Sequence, residues 1–255
     1  MSNMSNMDEQ TAAWLSDLER RHLADLTTTE VARALRALSS CYVERRSKLA
    51  SGEALGSRGK RAAFALFYGP VHYWITREIA RSLDASPLRE IVDLGCGTGA
   101  AGIAWATVAG ATRMRGFDRH PWAVDEANAA YKRFRLDGRA VRRDLSARGP
   151  RPWTSPGRGA GILAAYAINE LDAAARGALL PELLSFQQSG ARVLVVEPIA
   201  RRTTPWWDEW ARAFEGAGGR SDEWRFPATL PPTQQQLARA AGLNPRELTA
   251  RSLFV

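Results

Sequence analysis

The chain has 255 residues, with 35 lysines and arginines against 27 aspartates and glutamates and a net charge of +8. That length suffices for one core of nucleotide-binding size with an appendage, or for two small domains. No run of eighteen apolar residues excludes any membrane-spanning helix, and the start Met-Ser-Asn-Met-Ser-Asn-Met-Asp-Glu-Gln lacks the charged and apolar regions of a signal peptide, so a cytoplasmic protein is expected. Cys41 and Cys96 are far apart, and His22, His72 and His120 fall in no ligand spacing, so neither a disulfide framework nor a metal site is expected. The positive charge is almost all arginine, with Lys48, Lys60 and Lys132 the only lysines. Such skew often follows genome base composition and says little about function.

In chain order, residues 11–48 carry Leu15, Leu18, Leu23, Leu26, Val31, Leu35 and Leu38 at spacings that predict one or two amphipathic helices. Residues 51–60 read as a glycine-containing loop. Gly69-Pro70 is expected to split residues 61–83 into two helices, placing Tyr68, His72, Tyr73 and Trp74 just before the first strand.

Residues 91–100, Ile-Val-Asp-Leu-Gly-Cys-Gly-Thr-Gly-Ala, are an apolar strand running into three alternate glycines. Ile91, Val92 and Leu94 suit a buried parallel strand. Gly95, Gly97 and Gly99 allow a sharp turn at positive φ and close approach of a ligand to the backbone. Asp93 within this run needs a hydrogen bond or a ligand to justify its burial, which places it near the strand's carboxyl end. A second strand, residues 113–117, ends at Asp118, nineteen residues after Gly99 and near the spacing at which a carboxylate takes ribose hydroxyls. Residues 141–145 read as a third strand end that includes Asp144, itself also a candidate helix cap or partner for nearby arginines. Residues 147–161 should form a mobile loop rich in Arg, Gly and Pro.

A fourth strand is expected at 162–168, a helix at 172–186 and a fifth strand at 192–196, so helices alternate with parallel strands. Beyond these lie a helix from Pro205 to about Phe214, with Trp206, Trp210 and Phe214 on one face, a polar glycine-rich stretch through Ser221, a helix near 234–241 and a last strand at 247–255. Arg201-Arg202-Thr203-Thr204-Pro205-Trp206-Trp207 combines charge with aromatics in a way that suits RNA, although the amphipathic helix accounts for the same residues.

The glycine pattern alone also satisfies the dinucleotide fingerprint G-x-G-x-x-G/A. With Asp93 two residues before the first glycine and some ninety residues ahead of the motif, the stretch resembles motif I of class I S-adenosylmethionine (SAM)-dependent methyltransferases. The resemblance implies an α/β, Rossmann-like methyltransferase fold, mostly parallel with helices on both faces: a helical region over residues 1–85 covering the cofactor site, and a SAM-binding domain over 86–255. It implies SAM as cofactor, held by Asp93, Gly95, Cys96, Gly97 and Gly99 of the loop, by Asp118 on the ribose with its neighbour Arg119, by Asp144 on the adenine amino group with Leu145 beside it, and by Tyr73 of the covering segment. Catalytic candidates are Asn169, to orient an acceptor, Glu170, to take a proton, and His72; Glu197 is a further one. The Asn/Asp-Pro-Pro-Tyr motif of many nucleobase and glutamine N-methyltransferases is absent, and Asn169 and Glu170 also suit a helix cap.

Residues 62–73, Asn169-Glu170-Leu171 and residues 193–198 (Val-Leu-Val-Val-Glu-Pro) further resemble the methyltransferase-like family linked to assembly of the mitochondrial small ribosomal subunit and its bacterial relatives. The likeness spans about residues 60–200, and the chain lacks that family's later cysteine cluster. Two functions follow as expectations: methyl transfer to an RNA or small-molecule acceptor, or a non-catalytic RNA-binding or ribosome-assembly role on the same fold. No membrane partner is expected, and nothing in the sequence fixes the oligomeric state.

Overall fold

The computed structural model describes residues 2–44, 55–83, 87–147, 153, 157–200, 204–243 and 245–255. They divide into two compact units, residues 1–72 with 227–248, and residues 73–226 with 249–255.

The first unit is helical. Helix α1 (Ser2–His22) buries Trp14, Leu15 and Leu18, and α2 (Thr28–Glu44) buries Val31, Ala32, Leu35 and Leu38, whereas Leu23 and Leu26 of the expected stripe fall in the connection between the helices and are half-buried. A reciprocal cap starts α2: Glu30 N donates to Thr27 Oγ1 while Thr27 N donates to the Glu30 carboxylate. Helix α3 (Arg58–Ala63) begins inside the expected loop because Ser57 caps the Lys60 amide; residues 51–54 of that loop lie outside the described residues.

Gly69-Pro70 does not divide the helix that follows. The chain runs from α3 through a π-helical turn (Phe64–Tyr68) straight into α4 (Gly69–Ser82), with Gly69 helical and its N–H on the Phe64 carbonyl five residues back. Pro70 has no N–H to offer the Leu66 carbonyl, and Gln234 Nε2, from α9 (Pro232–Ala240), supplies that bond at 2.9 Å. Arg36 closes the other end of α9 on the Ala240 and Ala241 carbonyls.

The second unit is a seven-stranded sheet: β1 (Glu90–Leu94), β2 (Arg113–Asp118), β3 (Asp137–Arg142), β4 (Ala160–Ala165), β5 (Arg192–Glu197), β6 (Arg220–Pro227) and β7 (Glu247–Phe254), in the order β3-β2-β1-β4-β5-β7-β6. The pairs β1–β2, β2–β3, β1–β4 and β4–β5 are parallel, and β7 runs antiparallel to β5. Helices α5 (Ala100–Ala109), α6 (Pro121–Arg133), α7 (Ala173–Gln188) and α8 (Trp207–Gly216) connect them. This is the α/β, mostly parallel Rossmann-like architecture expected. The strand order reverses between β1 and β4, and their carboxyl ends are where such sheets bind ligands.

Several boundaries move. β4 stops at Ala165, not 168, because Tyr166 turns out of the strand at φ 58 and Ile168–Glu170 form a 3-10 turn before Asp172 caps α7. β3 stops at Arg142, leaving Asp144 and Leu145 beyond it. The polar stretch near Ser221 contains β6, whose Trp224 donates its indole N–H to Ser252 Oγ of β7. Of the expected loop at 147–161, Trp153 is buried, edge-on to Phe117 and bonded through Nε1 to Glu182; residues 148–152 and 154–156, and with them the expected mobility, lie outside the described residues.

Candidate active site

The glycine loop connects β1 to α5. Gly95, Gly97 and Gly99 have φ of 75°, 50° and 78°, a region that favours glycine. Space forbids side chains as well: a Cβ on Gly95 would stand 2.4 Å from Ala167 Cβ, and one on Gly99 2.7 Å from the Tyr131 ring. The amides of Gly95 and Cys96 both donate to the Phe117 carbonyl, tying the loop to the end of β2.

Asp118 reinforces that tie. Its Oδ2 accepts from Gly97 N at 2.9 Å and its Oδ1 from His120 N at 2.8 Å. Each oxygen keeps a free lone pair, so the carboxylate can brace the loop and still receive hydroxyls. Burial pushes its pKa up, against the pull of the two amides and Arg119.

Asp93 is 1 % exposed and lies against the first turn of α5, where only a glycine leaves room: a Cβ on Gly102 would be 2.4 Å from Asp93 Oδ2. Neither carboxylate oxygen makes a hydrogen bond of normal geometry among the described residues, though the Gly102 amide lies close enough to favour the charged form. Burial, with the Asp118 charge adding to it, pushes its pKa up to about 7.

Cys96 and Tyr131 complete the cluster. The Tyr131 ring lies in a trough left by Gly116 and Gly138 on β2 and β3: a Cβ on Gly116 would be 2.5 Å from the hydroxyl and 2.9 Å from Cys96 Sγ. Burial drives both the thiol and the phenol well above their ordinary pKa values, and the Asp93 and Asp118 charges push the same way. Tyr131 was not legible as a site residue, since it sits in an ordinary amphipathic helix; the two glycines opposite it were the available signal.

Across the sheet, Arg119 Nη2 meets Glu170 Oε2 at 3.0 Å. β2 and β4 flank β1, so this ion pair spans the carboxyl end of β1 beside the glycine loop. Burial pushes Glu170 up to about 7, with Arg119 pulling it down and Asp118 pushing it up. Asn169 is held at both ends of its amide: its backbone N and Nδ2 donate to the two oxygens of Glu197 at 3.1 and 2.7 Å, and its Oδ1 accepts from Trp206 Nε1 at 3.0 Å. Glu197, 0 % exposed, ends β5 in register with Arg251, whose guanidinium bonds the Ile199 carbonyl and covers the Trp207 ring at 4.8 Å. Trp206 was legible only as one position of an apolar stripe.

The remaining sequence candidates are placed elsewhere. Asp144 is exposed, its Oδ1 bonded to the Ser146 amide and hydroxyl, and Leu145 is buried 3.5 Å from where a Gly95 Cβ would stand. Tyr73 is fully buried, packed on Phe134 and the Arg77 guanidinium. His72, in the helical unit, packs against Phe64 and Tyr68, and burial pushes its pKa down to about 3. Trp206 and Trp207 are both buried, which removes them as exposed platforms for stacking a base; residues 201–203 lie outside the described residues. Among the described residues no group of three His, Cys, Asp or Glu side chains is placed to hold a metal ion, and no helix is long and apolar enough to cross a membrane.

A sheet in this order, with a glycine loop after β1 and a carboxylate closing β2, is a Rossmann-like α/β arrangement. The family described as Methyltransferase small domain matches residues 76–151, which hold β1 to β3, the glycine loop, Asp118 and Asp144. No curated protein matches the chain. Among solved structures, the chain is similar to the methyltransferase domain of bacterial CtHen1 (15% identity, TM-score 0.49, 72% of this chain and 98% of that one). It is also similar to the mitomycin 7-O-methyltransferase MmcR (16%, 0.49), where 82% of this chain aligns to 59% of that one. A third likeness is to the complex between the Haloferax volcanii Trm112 methyltransferase activator and a methyltransferase (17%, 0.49, 72% and 89%).

Proposed function

We propose that this protein is a SAM-dependent methyltransferase. The observation that carries the reading is Asp118, a carboxylate that pins the Gly97 amide and keeps lone pairs free at the rim of a positive-φ glycine loop. That donor and acceptor set fits a ribose against the loop backbone. Asp93 holds the junction of loop and α5 beneath it.

SAM supplies a methyl group already activated by its sulfonium, so the protein's task is alignment and exclusion of water. In this reading Asp118 takes the ribose hydroxyls, Gly95, Cys96, Gly97 and Gly99 form the floor, and Arg119, Asp144 and Leu145 border the adenine. Glu170 is the group to accept a proton from an acceptor, since burial brings it into the range where it exchanges one near neutrality. Asn169, held by Glu197 and Trp206, is a positioning residue that fixes the turn carrying Glu170. We assign no step to His72, which burial keeps neutral, and none to Tyr73. The acceptor is an RNA or a small molecule.

Calorimetric titration with SAM and with S-adenosylhomocysteine tests the reading. Binding of both, without heat on adding NAD, is the expected result; no binding of either overturns it.

A further inference from the structure

Residues 132–143 read Lys-Arg-Phe-Arg-Leu-Asp-Gly-Arg-Ala-Val-Arg-Arg. The structure places all six cations, Lys132, Arg133, Arg135, Arg139, Arg142 and Arg143, in solvent around one margin of the sheet. Lys132 and Arg133 end α6, Arg135 occupies the turn at φ 56, Arg139 and Arg142 lie on β3, and Arg143 follows it. β3 is the outermost strand on this side, so nothing in the sheet covers it.

Among the described residues none of the six forms an ion pair. The carboxylates beside them are turned elsewhere: Asp137 stands 4.0 Å from Arg113, a further exposed cation, Asp144 bonds Ser146, and Asp118, in register with Arg142, accepts from the Gly97 and His120 amides. The one side-chain bond within the group runs from Arg142 Nε to the Arg119 carbonyl and leaves the charge uncompensated. Elsewhere the exposed arginines are of both kinds: Arg20 meets Asp17, Arg58 meets Asp25 and Arg220 meets Asp222, while Arg36 and Arg89 bond backbone carbonyls. What sets this margin apart is density: six exposed cations fall within the twelve residues 132–143.

Charge on an edge strand also discourages strand-to-strand aggregation. One or two cations on β3 itself would serve that end, whereas these continue onto α6 and past the strand. The apolar residues between them turn inward, Phe134 and Ala140 buried, Leu136 and Val141 partly so. A surface that inserts into lipid needs an exposed apolar face beside its cations, and among the described residues no apolar side chain within 132–143 is exposed. Six residues of β3 run about 20 Å, enough to face several phosphates, and guanidinium suits phosphate through its planar fork of donors.

We propose that the β3 margin is a binding surface for the sugar–phosphate backbone of a single-stranded nucleic acid. This holds whether or not a methyl group is transferred, and it does not depend on the cofactor reading.

The test is fluorescence anisotropy of the full chain with a labelled single-stranded RNA of about 20 nucleotides and mixed sequence, across a salt series. The variant R133Q/R139Q/R143Q is compared with R212Q/R239Q/R246Q, which removes the same charge from exposed positions elsewhere. The margin variant is expected to lose at least about tenfold in affinity and to flatten the slope of log K against log salt by about 2, the release expected for three lost contacts to a single strand. The control should change less than about twofold. Replacement of the same three margin arginines by lysine should keep the slope. Competition by unlabelled DNA of the same sequence as effective as by RNA assigns the affinity to phosphates; much weaker competition adds the 2′-hydroxyl to the contact. Equal losses in the two glutamine variants, a salt-insensitive affinity, or capture by phosphatidylserine vesicles without RNA binding would overturn the proposal. Titration of the wild type with S-adenosylhomocysteine, run separately, reads the cofactor proposal on its own.

Discussion

Two groups of buried polar side chains sit at the carboxyl ends of the parallel strands, one around Asp93, Cys96, Asp118 and Tyr131, the other around Asn169, Glu197 and Trp206. In the second, the Asn169 amide and backbone N meet both oxygens of Glu197 and the Trp206 indole donates to the Asn169 oxygen. In the first, the Asp93 carboxylate has no hydrogen bond of normal geometry among the described residues and the Tyr131 hydroxyl meets the Cys96 thiol, while Asp118 splits its two oxygens between loop and helix amides. A satisfied buried network fixes one conformation, and an unsatisfied one is costly. In the reading proposed above, the difference separates groups that hold the fold from groups that receive a ligand.

The largest test of that contrast is Asp93→Asn. Asp93 keeps its proton up to about pH 7 when folded but releases it near its ordinary 3.8 when unfolded. The folded state therefore binds more protons between those values, and the contribution to stability, full below about 4, is lost as pH rises to about 7. Removing the charge should flatten that part of the urea-denaturation profile and raise stability at pH 8 by up to about 4 kcal/mol, while weakening cofactor binding. A variant less stable than wild type at pH 8 would place Asp93 with the structural groups. Next, Asn169→Leu should cost about 3 kcal/mol, because it strips donors from a buried carboxylate and leaves an indole N–H unmatched; a loss under about 1 kcal/mol in chemical denaturation would erase the distinction.

Asp118→Ala should weaken S-adenosylhomocysteine binding by about 2 kcal/mol through lost charge-assisted hydrogen bonds, an effect that calorimetry reads directly and that unchanged affinity would contradict. The smallest expected effect is on Glu170. Removing the neighbouring cation with Arg119→Met should raise its pKa beyond about 7, seen as a later midpoint in a carboxyl carbon NMR titration; an earlier or unmoved midpoint would mean the pair does not hold the carboxylate.

The glycine loop was legible because its constraint is local: three residues at positive φ can be read from spacing alone, and Asp118 follows from the length of one strand–helix–strand unit. What could not be read depends on partners distant in the chain. Asn169 looked like a cap or a catalytic amide until Glu197 and Trp206, 28 and 37 residues later, took up its hydrogen bonds. Gly69-Pro70 looked like a break because nothing nearby announces that Gln234 satisfies the carbonyl Pro70 cannot serve. β6 was missed since its glycine-rich approach masks a strand whose neighbour is β7.

The position of β7 between β5 and β6 sets an order of assembly. β6 is complete in sequence some twenty residues before the strand that must dock beside it, and β5 some fifty residues before. Until residues 249–254 arrive, both present open edges that can pair with another molecule. Closing the sheet is thus a long-range and slow event, and a nascent or refolding chain is most exposed to aggregation in that interval.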